Sequence, residues 1–210
     1  MPVRPALVAA MLAACGLVTA ADVVEVDPAP AEPLGQPPSW TGNVNALIGG
    51  KVLDEDDWEP VEGHSAFGLM FDTRPRSWPV ALAINIIGSV GADEDDDTDV
   101  ETAASTGELQ LGIKKVFGED GGMGVFRVWI AGGISFMSAT VVVDRPNEDE
   151  IDEDDSAIGG WAGVGCYWTI ARHFNIGPAV QFSAGEEVEL FGTQRQPGGL
   201  LIGLNLGFHW

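Results

Sequence analysis

The chain has 210 residues, with 10 basic and 32 acidic side chains, a formal charge of −22 and 28 glycines. Its length and its 45% hydrophobic content allow a real core, which argues against disorder throughout. The acidity argues against nucleic-acid binding, which needs a basic footprint. Two distant cysteines supply neither a disulfide scaffold nor a cysteine-built zinc site.

Residues 1–20 read as an export signal: Arg4 is followed by an apolar stretch from Ala6 to Val18, and Val18-Thr19-Ala20 offers small residues for cleavage. A second reading competes, because Leu12-Ala13-Ala14-Cys15-Gly16 resembles a lipobox, with cleavage after residue 14 and lipidation of Cys15. Residues 21–41 hold five prolines and four acidic residues without an apolar period, and read as an acidic flexible segment. No run of about 18 apolar residues follows the leader, so no transmembrane helix is predicted; a membrane barrel, whose signal is weaker per segment, stays open.

From Gly42 to Trp210 apolar residues recur at every second position in segments of about ten, the period of a strand. Eight such segments are predicted. The first sets Val44, Ala46, Ile48 and Val52 against Asn45, Leu47, Gly49 and Lys51. The last sets Leu200, Ile202, Leu204, Leu206, Phe208 and Trp210 against Leu201, Gly203, Asn205, Gly207 and His209. Three links are short, around Arg74 to Ser77, Gly118 to Gly122 and Arg172-His173. The other four run over about 54–63, 88–104, 142–156 and 185–198. Alternating short and long links are what an antiparallel up-and-down sheet produces, with all long links at one end. Those four hold 24 acidic and two basic residues, and the rest of the chain is neutral. The whole formal charge therefore falls on one rim.

The two faces differ in kind. One is continuous hydrocarbon, cheapest against lipid. The other carries small and hydrogen-bonding residues with the ionisable Lys51, Asp72, Glu108, Lys114 and Arg127, expected as a polar cluster that fills the lumen. Eight strands leave just enough interior for side chains. Trp78, Phe117, Phe126, Trp168, Phe174 and Trp210 fall near the short-turn end of the apolar face, where an interfacial belt belongs. Cys166 lies in the apolar row as a small filler.

With these features the segment 42–210 resembles the small eight-stranded outer-membrane β-barrels of Gram-negative bacteria, of the outer membrane protein A, W and X type. The resemblance is carried most strongly by the end, in which terminal Trp210 follows Phe208, Leu206, Leu204 and Ile202 at alternate positions. Asp57-Trp58-Glu59-Pro60-Val61 and Arg76-Ser77-Trp78-Pro79-Val80 also look like stretches of small exported barrels. The resemblance implies an all-β, antiparallel transmembrane barrel in the cell outer membrane, with short periplasmic turns, long acidic extracellular loops and a C-terminal end read by the barrel-insertion machinery.

The expected role is structural or surface-interacting in the cell envelope. Three alternatives stay open: a narrow channel or transporter for small or hydrophobic solutes, a soluble carrier barrel of lipocalin type, and a lipid-modifying outer-membrane enzyme. No catalytic, cofactor or metal residue is assigned. His64 and Ser65 point to opposite faces of their strand, His173 lies in a turn and His209 points into the lumen. The runs Asp93 to Asp97 and Glu148 to Asp155 fit no calcium-binding helical loop: counted from Asp95, Val100 stands where Gly is needed and Thr106 where Glu is needed. Diffuse Ca or Mg screening is the most that they imply. Lipid is the expected partner.

Overall fold

A computed structural model describes residues 40–95, 100–118, 125–144, 151–170 and 173–210. The leader readings and nearly all of the segment 21–41 lie outside these residues. Eight long strands close into a barrel: β1 (Trp40–Val52), β2 (Gly63–Pro75), β3 (Ala81–Asp95), β4 (Val100–Phe117), β5 (Val125–Asp144), β6 (Ile151–Ile170), β7 (Phe174–Gly185) and, after a small hairpin of β8 (Val188–Leu190) and β9 (Thr193–Arg195), β10 (Gly199–His209). Every barrel strand is antiparallel to its chain neighbour, and β1 pairs with β10 to complete the ring. At that join Gly42 and Trp210 exchange backbone hydrogen bonds of 3.3 and 3.1 Å. A path of paired residues that leaves β6 at Ile158 runs through Phe136, Leu109, Ile86, Leu69, Ala46, Leu206 and Ile176, and returns to β6 at Trp168. That stagger of ten residues requires strands tilted against the barrel axis.

The period-2 pattern sets which way each side chain faces. Ile48, Phe67, Leu69, Leu82, Ile84, Ile86, Ile113, Ile130, Ile134, Val164, Leu204 and Phe208 are exposed on the outside. Asn43, Asn45, Lys51, Asp72, Asn85, Glu108, Gln110, Lys114, Arg127, Ser135, Asn175, Gln181 and Asn205 are buried inside. A soluble barrel has the reverse arrangement, so the lipocalin alternative is overturned by side-chain direction alone. Cys166 keeps its place in the outward row by alternation but is buried.

The links depart from expectation. Two of the four long ones are mostly strand: β3 continues to Asp95 and β4 starts at Val100, while β5 reaches Asp144 and β6 starts at Ile151. The expected loops 88–104 and 142–156 are thus largely the upper halves of two hairpins, which extend the cylinder on one side as a four-stranded wall. The other two long links fold. The first contains a single helical turn, α1 (Glu55–Trp58), capped by Asp54, whose side chain accepts from Asp56 N at 3.1 Å. The other contains the β8–β9 hairpin.

Candidate functional site: the filled lumen and its lid

The five ionisable lumen residues separate into two groups rather than one cluster. Near the long-link end, Lys51 Nζ lies 2.8 Å from Glu108 Oε1 and also donates to Thr106 Oγ1 and to the Pro197 carbonyl, both at 2.9 Å. Glu108 accepts further bonds from Gln110 (2.8 Å), Ser183 (2.8 Å) and Ser135 (3.2 Å). Its charge is therefore matched by one cation and three neutral donors, the condition under which a buried carboxylate is tolerable. Thr106 and Ser89 hydroxyls stand 2.8 Å apart, and Ser89 is 2.9 Å from His64 Nδ1. A single donor direction, from Lys51 through Thr106 and Ser89 to His64 Nδ1, accounts for these three contacts.

Towards the short-turn end, Lys114 Nζ lies 2.7 Å from Asp72 Oδ2, with Asn43 donating to Asp72 Oδ1 at 2.8 Å. Asn175 donates to Asn43 Oδ1 at 2.8 Å. Arg127 donates to Thr169, to Asn175 Oδ1 (3.2 Å) and to His209 Nε2 (3.4 Å). His209 donates from Nδ1 to the Gly42 carbonyl at 3.0 Å, which leaves Nε2 as the acceptor that Arg127 needs. Lys114 and Arg127 both lie against the Tyr167 ring, at 5.7 and 4.9 Å from its centroid. Those two cations come together as the strand pattern predicts, but Glu108 pairs with Lys51 across the barrel instead.

Apolar side chains stand between the groups on several strands: Leu47 between Asn43 and Lys51, Met70 between His64 and Asp72, Trp129 between Arg127 and Ser135, Ala179 between Asn175 and Ser183. Trp129 fits because Gly165 faces it; a Cβ there would come within 2.7 Å of the indole. Gly91 makes the same allowance for His64, whose ring would meet an added Cβ at 2.5 Å.

Above the Lys51 group lies a second core that the sequence reading of solvated loops did not anticipate. Trp58 of α1 is completely buried, with Leu53, Val61, Val188 and Leu190 from the folded links and Ala104, Met137, Ala139, Val141 and Ala157 from the inner face of the wall. Polar contacts tie the two links together. Trp58 Nε1 donates to the Gln196 carbonyl at 2.7 Å, Asp57 accepts from Gln196 N at 3.0 Å, and the Arg195 guanidinium sits 5.4 Å from the Trp58 ring centre. The links thus form a lid, and Lys51 anchors it from below through Pro197. The Asp57-Trp58-Glu59-Pro60-Val61 stretch, to which no chemistry was assigned, supplies its centre.

On its outer edge the lid is held by carboxylates of β6: Glu189 N donates to Asp155 Oδ2 at 2.9 Å and Phe191 N donates to Glu153. The backbone N–H of Glu189, with that of Ser156, holds the Asp155 carboxyl below the usual carboxylate range. A lowered folded value stabilises the lid above the ordinary carboxylate range and loses that contribution as pH falls through the lowered value. Lid proteolysis should therefore accelerate on acidification, and Asp155→Asn should be cut faster than the wild type at pH 7 with much less further change at low pH. Equal cleavage of both proteins at pH 7 would show that this carboxylate does not hold the hairpin.

The exterior at the short-turn end carries the expected aromatics. Trp78, Phe117, Phe126 and Trp210 are exposed, and Trp168 and Phe174 are half-buried. Rings meet in pairs: Phe126 with Trp168 (5.3 Å) and Phe174 with Phe208 (5.8 Å) on neighbouring strands, and Phe71 of β2 with Trp210 (5.9 Å) across β1. An outward hydrocarbon belt edged by aromatic rings around a polar, filled tube is the arrangement seen in outer-membrane barrels.

The chain has the fold of the small outer-membrane β-barrels. The attachment invasion locus protein Ail of Yersinia pestis, solved in complex with the heparin analogue sucrose octasulfate, superposes with a TM-score of 0.55 at 12% identity, over 81% of this chain and 98% of that one. A major outer membrane protein from Thermus thermophilus does so with a TM-score of 0.51 at 10% identity, over 82% of this chain and 98% of the other. No family model and no curated protein matches the sequence.

Proposed function

We propose that this chain is an integral outer-membrane barrel, closed to solute flow and non-enzymatic, whose role is structural or surface-interacting in the cell envelope. The observation that carries the reading is the pairing of an apolar exterior with a lumen blocked twice, by its own ion-paired side chains and by the Trp58 lid. On this reading the short turns and Trp210 face the periplasm, the acidic wall faces outward, and the alternating C-terminal segment is what the insertion machinery recognises. Ail was solved with a heparin analogue, a polyanion mimic. Here Asp152, Glu153, Asp154 and Asp155 line one edge of the wall, a surface that repels polyanions and favours a cationic or neutral partner. The enzyme alternative has one local feature, the contact between Ser89 and His64, but both side chains are buried beneath Trp58.

Two measurements test the reading. Folded protein should partition into detergent and migrate differently on a gel before and after boiling; a freely water-soluble folded chain would remove the membrane assignment. In planar bilayers the wild type should pass no steady current. Trp58→Ala should stay closed too, because the side-chain groups below the lid are intact. Stable conductance of the wild type would favour the channel alternative instead.

A further inference from the structure

We propose that the short-turn end of β2, β3 and β4 carries a binding surface for the phosphate of an anionic diacyl phospholipid, an inference that rests on the membrane reading above. The turn between β2 and β3 is fixed by a 2.9 Å bond from Trp78 N to the Pro75 carbonyl. Two basic side chains hydrogen-bond to its backbone. Arg74 Nη1 donates to the Trp78 carbonyl and Lys115 Nζ to the Pro79 carbonyl, each at 2.7 Å. Lys115 and the exposed Arg76 thus bring two cations to one turn, while the rest of Arg74 lines the mouth of the lumen with Asn43 and Asp72. Two positive charges at one turn attract an anion.

The surroundings specify the kind of anion. Lys115 lies in the outward row of β4 between Ile113 and Phe117, 55% and 47% exposed, with its ammonium 5.9 Å from the Phe117 ring centre. Its stem therefore lies along the apolar exterior while its head reaches the rim, as a snorkelling lysine does at a headgroup layer. Trp40, which pairs with Pro75, and Trp78 are each 48% exposed beside the cations. A ligand here needs a negative phosphate at the rim and hydrocarbon below it. Among the described residues, the basic charge outside the lumen at this end is also confined to one sector. Of the other described basic residues, Lys51, Lys114 and Arg127 face the lumen and Arg195 belongs to the lid. The ring pairs Phe126–Trp168 and Phe174–Phe208 occupy the same end of the barrel on β5, β6, β7 and β10.

The test uses the full chain folded into phosphatidylcholine vesicles containing a minority of phosphatidylglycerol, with spin-labelled forms of both lipids reporting relative association. The wild type should prefer phosphatidylglycerol, by on the order of fivefold for each cation engaged, and the preference should shrink in high salt. Arg76→Gln with Lys115→Gln should bring it close to one, while Arg195→Gln should leave it unchanged. Equal association of both lipids with the wild type, or an undiminished preference in the double variant, would overturn the proposal. Should the double variant fail to fold, the wild-type salt dependence decides in its place. Loss of the preference on adding millimolar inorganic phosphate at constant ionic strength would assign the surface to free phosphate and overturn the lipid assignment. Failure of the wild type to enter vesicles at all would instead bring down the membrane reading itself.

Discussion

Replacing Lys51 with Met should lower the unfolding free energy by about 3–5 kcal/mol, the usual cost of removing one partner from a buried ion pair. Lys51 is 1% exposed and its ammonium serves Glu108, Thr106 and the lid carbonyl of Pro197 together. Without it Glu108 keeps three neutral donors but no opposite charge. Adding Glu108→Gln to Lys51→Met should recover much of the loss, because the uncompensated charge causes most of it. The urea midpoint, followed by the heat-modifiable gel shift in detergent, measures both variants. A double variant no more stable than Lys51→Met alone would mean that packing and the lid anchor, rather than charge, set the cost.

Leu204→Arg should be the most damaging change on the outside, costing about 2–4 kcal/mol where a charge must sit at mid-depth in hydrocarbon. Leu204 is 41% exposed, near the middle of β10, and pairs with Ile48 on one side and Pro178 on the other. Phe191, 42% exposed at the tip of the β8–β9 hairpin, supplies the control. Phe191→Arg changes the same kind of side chain beyond the apolar belt and should leave membrane assembly unaltered. Similar assembly yields for the two variants in vesicles would contradict the assignment of Leu204 to the lipid.

The barrel was legible because a wall one residue thick must alternate, and here outward hydrocarbon alternates with inward side chains that are mostly small or polar. The same logic explains the misplaced strand ends. In the upper parts of β4, β5 and β6 the pattern inverts: Ala104, Ala139, Val141 and Ala157 face inward and are buried, while Ser105, Thr140, Asp152 and Asp154 face outward. Beyond the apolar belt the sheet faces water outside and the lid inside, so a search for outward hydrocarbon stops too early. Runs of acidic residues reinforced the loop reading, though charged residues are common on solvated strands. The lid left one signal in the sequence, a Trp and a Val in an acidic stretch with Leu53 just before them, and only tertiary contact with Val188 and Leu190 gives it meaning. Lumen membership followed from strand parity. Partner choice did not, because Lys51 and Glu108 are 57 positions apart and meet across the interior.

The join between β1 and β10 has a kinetic consequence. It matches ten residue pairs, whereas β5 and β6 match nineteen, and it unites the first described strand with the last. Closing so long a loop is entropically the most expensive pairing in the molecule. The hairpins from β2 to β7 can zip locally first, leaving this seam as the final fastening and the first place for the cylinder to unbutton.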